Sequence, residues 1–208
     1  MYDSGSLPQS EYEKLKKEAE LRGKGSFAFA YLLDNLKEER ERGVTIDVNY
    51  KKLETQHRSI TIIDAPGHKD FIKNMIKGTS QADAAVLVVA APEGLMPQTK
   101  EHAFIAQVMG IKKIIIGVNK MDSVNYDEKK YKEVSEAAKK LLMGSGLKED
   151  SISAIPVSAW IGDNLAKKSD KMPWYTGKTL LEMLDAIDPP ASPFDKPLRL
   201  PVEDVYSI

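Results

Sequence analysis

From residue 84 onward, apolar and polar positions fall into alternating blocks. Residues 84–91 form an unbroken apolar run of strand length, and residues 97–109 follow with apolar positions at helical spacing. The same pairing recurs at 113–118 with 128–143, and at 153–157 with 179–187. Apolar strands alternating with amphipathic helices predict an α/β fold, a parallel sheet with helices on both faces. Ligands of such sheets bind beyond the carboxyl ends of the strands, so the residues just after each apolar run are the first candidates for chemistry.

The upstream part follows a different pattern. Residues 9–22 (QSEYEKLKKEAELR) are charged with a thin apolar stripe, punctuated by Gly23 and Gly25. Ser26 is placed to cap a second helix through Phe27, Tyr31, Leu32 and Leu36, which ends in a charged run before Gly43. Two strand-like stretches, 44–53 and 58–64, come next with a polar turn between them. Near the far end, residues 188–193 (DPPASP) read as a linker, and 198–206 as the opening strand of another unit.

Composition narrows this picture only slightly. At 208 residues, 42% hydrophobic and 29% charged, the chain can bury the core of one sizeable α/β domain. Its net charge of −1 argues neither for nor against RNA. With no cysteine there are neither disulfides nor thiolate metal sites. The run at 84–91 is too short to span a bilayer, and the first residues have neither the basic start nor the apolar stretch of a signal peptide. A cytoplasmic protein without membrane attachment is expected.

Four groups sit where such a fold places ligands. Asp64-Ala65-Pro66-Gly67-His68 follows an apolar strand. A carboxylate there suits magnesium, glycine lets a backbone N–H approach a phosphate, and the histidine can orient water. A strand-ending Pro-Gly bend is the plainer explanation. Asn119-Lys120-Met121-Asp122 follows the next strand but one. The two oxygens of Asp122 match the N1–H and N2–H₂ donors of guanine, and the Lys120 stem can lie across a base. A polar turn accounts for the same residues. Ser158-Ala159-Trp160, after a third strand, can face backbone N–H groups toward guanine O6. Thr45, in Arg42-Gly43-Val44-Thr45-Ile46-Asp47, offers a hydroxyl to magnesium, or simply opens a strand.

The specificity lies in the conjunction and its order. RGVTID, DAPGHKDFIKNM, NKMD and SAW together resemble the translational GTPases, most closely the elongation factor 1-alpha family of archaea and eukaryotes. KGSFAFAYLLD, GTSQADAAVLVVAA, QTKEHA, KMPWYTG and KPLRLPVEDVYSI extend the resemblance from about Leu21 to Ile208. It implies a P-loop-NTPase-like sheet with a GTP-binding domain over 1–190, and a linker with the first strand of a β-barrel domain over 191–208. It also implies binding of GTP and GDP with Mg²⁺, and GTP hydrolysis during delivery of aminoacyl-tRNA to the ribosome, with a nucleotide exchange factor as partner. By resemblance, Thr45 and Asp64 serve the metal, Gly67 senses the γ-phosphate and His68 positions the hydrolytic water. Asn119, Lys120, Asp122, Ser158, Ala159 and Trp160 then surround the guanine.

No G-x-x-x-x-G-K-[ST] segment occurs among the 208 residues. Gly23-Lys24-Gly25-Ser26 has the wrong order, and Gly177-Lys178-Thr179 has Met172 where the first glycine is needed. The family sheet has strand order 2-3-1-4-5-6, so the resemblance implies a chain truncated at both ends, without its first strand, phosphate loop and first helix. Either the strand at 59–63 then pairs directly with the one at 84–90, or a gap remains. Guanine contacts without a phosphate cradle predict very weak GTP binding by these 208 residues. Two other roles are compatible with the sequence. One is a non-catalytic remnant acting as a binding module; the other is a related GTPase, such as a termination factor or the GTPase subunit of sulfate adenylyltransferase.

Overall fold

The computed structural model describes residues 45–55, 57–190 and 197. The helices expected over 9–22 and 26–36 and the strand over 198–206 lie outside them. Strand β1 (Asn49–Glu54) pairs antiparallel with β2 (Ser59–Asp64), placing Asn49 opposite Asp64. Thr55 closes their turn: its amide donates to the Arg58 carbonyl at 2.8 Å and its hydroxyl accepts from the Arg58 amide at 2.9 Å. A short 3₁₀ turn, Lys69–Phe71, then leads into helix α1 (Ile72–Thr79).

The regular βα alternation follows. Strands β3 (Ala84–Ala90), β4 (Lys113–Asn119) and β5 (Ile152–Pro156) form a parallel sheet in that order, with Ala90 level with Asn119 and Val118 with Pro156. Helix α2 (Pro97–Val108) links β3 to β4, and α3 (Glu128–Gly144) links β4 to β5. Pro97 fits the first helical position, where no backbone donor is required. Asp127 caps α3 by accepting from the amides of Lys129 and Lys130.

Side chains alternate across a strand, and this divides the core. Ile114, Ile116 and Val118 face Ala103 and Ala106 of α2 and Val134, Ala138 and Leu142 of α3, all buried. On the other face Ile115, Ile155 and Val157 pack against Leu180, Met183 and Leu184 in and beside helix α4 (Leu180–Asp185). Helix α4 covers that face at β4 and β5 only. Val86 and Val88 lie on the same face of β3, level with Ile115 and Gly117, and are 38% and 60% exposed. The α/β sheet with helices on both faces is therefore present, but among the described residues β3 is covered on one side alone.

Most predicted elements shift by one or two residues. The exceptions are informative. The strand expected over 44–53 begins at Asn49, and Thr45 to Val48 precede it as irregular backbone. Helix α1 was not foreseen, because Ile72, Met75 and Ile76 are too few apolar positions to set a period. Strands β2 and β3 belong to separate sheets, so of the two expected arrangements the gap is the one adopted among the described residues.

Candidate functional site

Parallel pairing brings the ends of β4 and β5 side by side, and with them two of the candidate loops. The Asn119 side-chain oxygen accepts from the Lys120 amide at 2.7 Å and the Ala159 amide at 2.9 Å, so one carbonyl ties both loops. The Met121 amide donates to the Val157 carbonyl at 3.2 Å. Ser158, fully buried, donates its hydroxyl to Asp122 Oδ1 at 2.5 Å. A charge-assisted bond of this kind fixes the carboxylate plane while leaving Oδ2 without a hydrogen bond among the described residues. Lys120 stands in the left-handed region at φ +61°, and its ammonium pairs with Glu93 at 2.8 Å. Trp160 is 56% exposed at the rim.

The other candidates gather around α1. The Asn74 amide donates to the Ile46 carbonyl at 2.8 Å, holding the stretch that carries Thr45 against the helix. Gly78 lets Val48 and Ala65 reach the helix backbone; a Cβ there would meet Ala65 Cβ at 3.1 Å and Val48 Cγ1 at 3.2 Å. Asp64 ends β2, and Gly67 follows it after Pro66. His68 is exposed, and its Nδ1 accepts from the Asp70 amide at 3.3 Å, so it caps the short 3₁₀ turn. Thr45 and Asp64 therefore belong to the β1–β2 sheet region, whereas Asn119, Asp122 and Ser158 belong to the β4–β5 loops.

One side chain joins the two groups. His102 of α2 lies 2.9 Å from the Gly67 carbonyl through Nε2. A carbonyl only accepts, so Nε2 carries the proton. With Ala90, Glu93, Met96, Asn119 and Lys120, His102 lines a concavity of about 250 Å³ beyond the end of β3. Glu93 and His102 carried no assigned role in the sequence. QTKEHA matched a family segment, but nothing in its spacing pointed to Gly67.

A larger concavity of about 440 Å³ lies beside α4, lined by Lys168, Gly177, Lys178, Glu182 and Asp185. Gly177 and Lys178 border it, and the next residue, the buried Thr179, caps α4 by accepting from the Glu182 amide. That segment is thus accounted for as a helix start. Among the described residues no three His, Cys, Asp or Glu side chains converge as a metal cage. The Thr45 hydroxyl and Asp64 carboxylate are hard oxygen donors, and magnesium takes one or two protein ligands alongside waters and phosphates, so the donor chemistry fits. No helix among the described residues is long and apolar enough to cross a membrane.

Residues 1–190 match the elongation factor Tu GTP binding domain family. Over all 208 residues the chain is 62% identical to elongation factor 1-alpha of Thermococcus kodakarensis and 60% identical to that of Pyrococcus furiosus. In each case it spans 48% of the relative, so the chain covers about half the length of the curated relatives it matches. Among solved structures it resembles a bacterial selenocysteine-specific elongation factor (TM-score 0.60, 32% identity, 75% of this chain and 25% of that one). It also resembles Sup35 complexed with GDP (TM-score 0.61, 28% identity, 89% of this chain and 39% of that one). With a parallel sheet whose β4 and β5 loops are tied through Asn119, Asp122 and Ser158, and a match over 1–190, the chain belongs to the elongation factor Tu GTP-binding domain family.

Proposed function

We propose that these residues form the guanine-reading part of a translation elongation GTPase of the elongation factor 1-alpha type. The observation that carries this is the placement of Asp122: Ser158 fixes one carboxylate oxygen at 2.5 Å, and Asn119 ties the Ala159 amide into the same rim at 2.9 Å. A carboxylate held this way accepts from both N1–H and N2–H₂ of guanine. Adenine presents an acceptor at N1 and leaves the buried polar atoms unpaired, which is strongly disfavoured. The Lys120 stem lies along the base, and Trp160 borders the opening.

On this reading GTP and GDP are the ligands. Gly67 meets the terminal phosphate, and His68 orients the water that attacks it. Thr45 and Asp64 hold Mg²⁺, which when bound neutralises phosphate charge. The whole protein then carries aminoacyl-tRNA to the ribosome in the cytoplasm and is recharged by a nucleotide exchange factor. Residues 1–190 serve as the nucleotide domain, and 191–208 lead into a further domain. Identities of 60–62% to elongation factor 1-alpha over all 208 residues support the elongation reading.

Titration of the full chain with GDP and ADP, followed by nuclear magnetic resonance so that weak binding is still read, tests the proposal. GDP is expected to bind on the order of a hundredfold more tightly than ADP, and Asp122→Ala to abolish the difference. Equal affinity for the two nucleotides in the unmodified chain overturns it.

A further inference from the structure

Beyond the base-contacting residues lies a second layer that sets where Asp122 stands. After β4, the 3₁₀ turn Met121–Val124 that holds Asp122 runs into Asn125 and Tyr126, both in the left-handed region at φ +53° and +57°. A bulky residue at positive φ is strained and persists only where its surroundings over-determine it. Tyr126 is held at every polar group. Its amide donates to the Met121 carbonyl at 2.8 Å, and its carbonyl accepts from Trp174 Nε1 at 3.1 Å. Its hydroxyl donates to Asp163 Oδ2 at 2.9 Å and accepts from Lys171 Nζ at 3.0 Å.

Asp163 is the counterpart on the other loop. Its amide donates to the Ser158 carbonyl at 3.1 Å, and the Ser158 amide donates back to the Asp163 carbonyl at 3.3 Å. Its second carboxylate oxygen accepts from the Ser169 hydroxyl at 2.7 Å. The Asp163 side chain is only 12% exposed, so its bond to Tyr126 lies where solvent competes weakly. Tyr126 thus grips the Asp122 loop through its backbone, Asp163 grips Ser158 through its backbone, and their side chains close the link. We infer that Tyr126 and Asp163 are positioning residues for base reading, clamping the Asp122 loop onto the Ser158 loop without touching the nucleotide.

This inference rests on the guanine reading above, and its test separates the two. Inosine diphosphate lacks the 2-amino group of GDP, so the ratio of its dissociation constant to that of GDP reports how well Asp122 is placed. Loss of general stability raises both constants in proportion and leaves the ratio unchanged. Tyr126→Phe, which deletes one oxygen and keeps the ring, is expected to shrink the ratio by about three- to tenfold. Asp163→Ala shrinks it as far, and the double variant shrinks it no further than the larger single effect, because all three break the same bond. Titrations are run below each variant's unfolding midpoint; if Asp163→Ala does not fold, Tyr126→Phe decides alone. An unchanged ratio in folded Tyr126→Phe overturns the clamp while leaving guanine reading intact. No preference for GDP over inosine diphosphate in the unmodified chain overturns both.

Discussion

His102 Nε2 lies 2.9 Å from the carbonyl oxygen of Gly67, so the turn after β2 is tied to helix α2 across the gap between the two sheets. The contact is close on the carbon side as well: a Cβ on Gly67 would sit 3.2 Å from His102 Cε1. Gly67→Ala is therefore expected to push the imidazole aside and break the bond, at a cost of about 1 kcal/mol in unfolding free energy. His102→Ala alone costs a similar amount, and the double variant costs no more than either, because the clash and the bond are removed together. Denaturant midpoints of the three variants check this; strictly additive losses would refute the link.

Adjacent valines on β3 should respond in opposite ways. Val89 is 2% exposed in the core shared with α2 and α3, whereas Val88 is 60% exposed on the face that α4 does not reach. Val89→Ala is expected to cost about 2 kcal/mol, through lost transfer energy and an unfilled cavity. Val88→Ala should stay within about 0.5 kcal/mol. Similar losses at both positions would mean that the outer face of β3 is covered in solution.

Ile114 to Val118 read as a buried strand because both faces of β4 are covered, leaving an unbroken apolar run. Val86 and Val88 look identical in sequence yet stand exposed, since a run of apolar residues records composition and not which neighbours arrive. Asn119, Asp122 and Ser158 were legible as candidates because short motifs at strand ends have chemical meaning. Tyr126, Asp163 and Lys171 were not, because their link spans 37 residues from Tyr126 to Asp163 and depends on two left-handed backbone positions that no local pattern announces.

Buried Asn164 is a further hidden support. It stands at φ +59°, 2% exposed, donating through Nδ2 to the Pro156 carbonyl at 3.0 Å and accepting from the Ser169 amide at 2.9 Å. Asn164→Ala leaves the buried Pro156 carbonyl and the half-buried Ser169 amide without this partner and keeps a Cβ at an unfavourable φ, so a loss of about 3 kcal/mol is expected. Thermal and urea unfolding measure it. A loss within about 0.5 kcal/mol would show that Pro156 and Ser169 find other partners.

The start of α4 makes stability depend on acid. Glu182 donates no proton at neutral pH; its carboxylate accepts from the Thr179 amide at 2.7 Å, and this bond, with the Thr179 side-chain contact, holds its pKa below the ordinary value. A carboxyl depressed in the folded state adds stability above its unfolded pKa, and that contribution disappears as pH falls through the folded value. Glu182→Gln is therefore expected to be less stable than the unmodified chain at neutral pH and to converge with it in acid. Unfolding midpoints measured down the pH scale test this, and a difference that stays constant would remove the carboxylate from the explanation.

Alkali should act through the aromatic cluster of Tyr131, Trp174 and Tyr175. Tyr131 lies 5.3 Å from the Trp174 ring and 6.3 Å from that of Tyr175, centroid to centroid. Burial is the main reason that both phenols resist ionisation; Tyr175 is pushed up to about 12, and Tyr131 is raised further. Because the raised pKa favours the neutral form in the fold, their contribution is complete below the unfolded value of about 10 and declines as pH rises above it. Ultraviolet titration should therefore show Tyr131 ionising only as the protein unfolds. Tyr131→Phe should weaken the alkaline loss of stability by removing a group that the unfolded chain ionises first. Full phenol titration near pH 10 with the far-ultraviolet dichroism intact would place these rings in water instead of against Trp174.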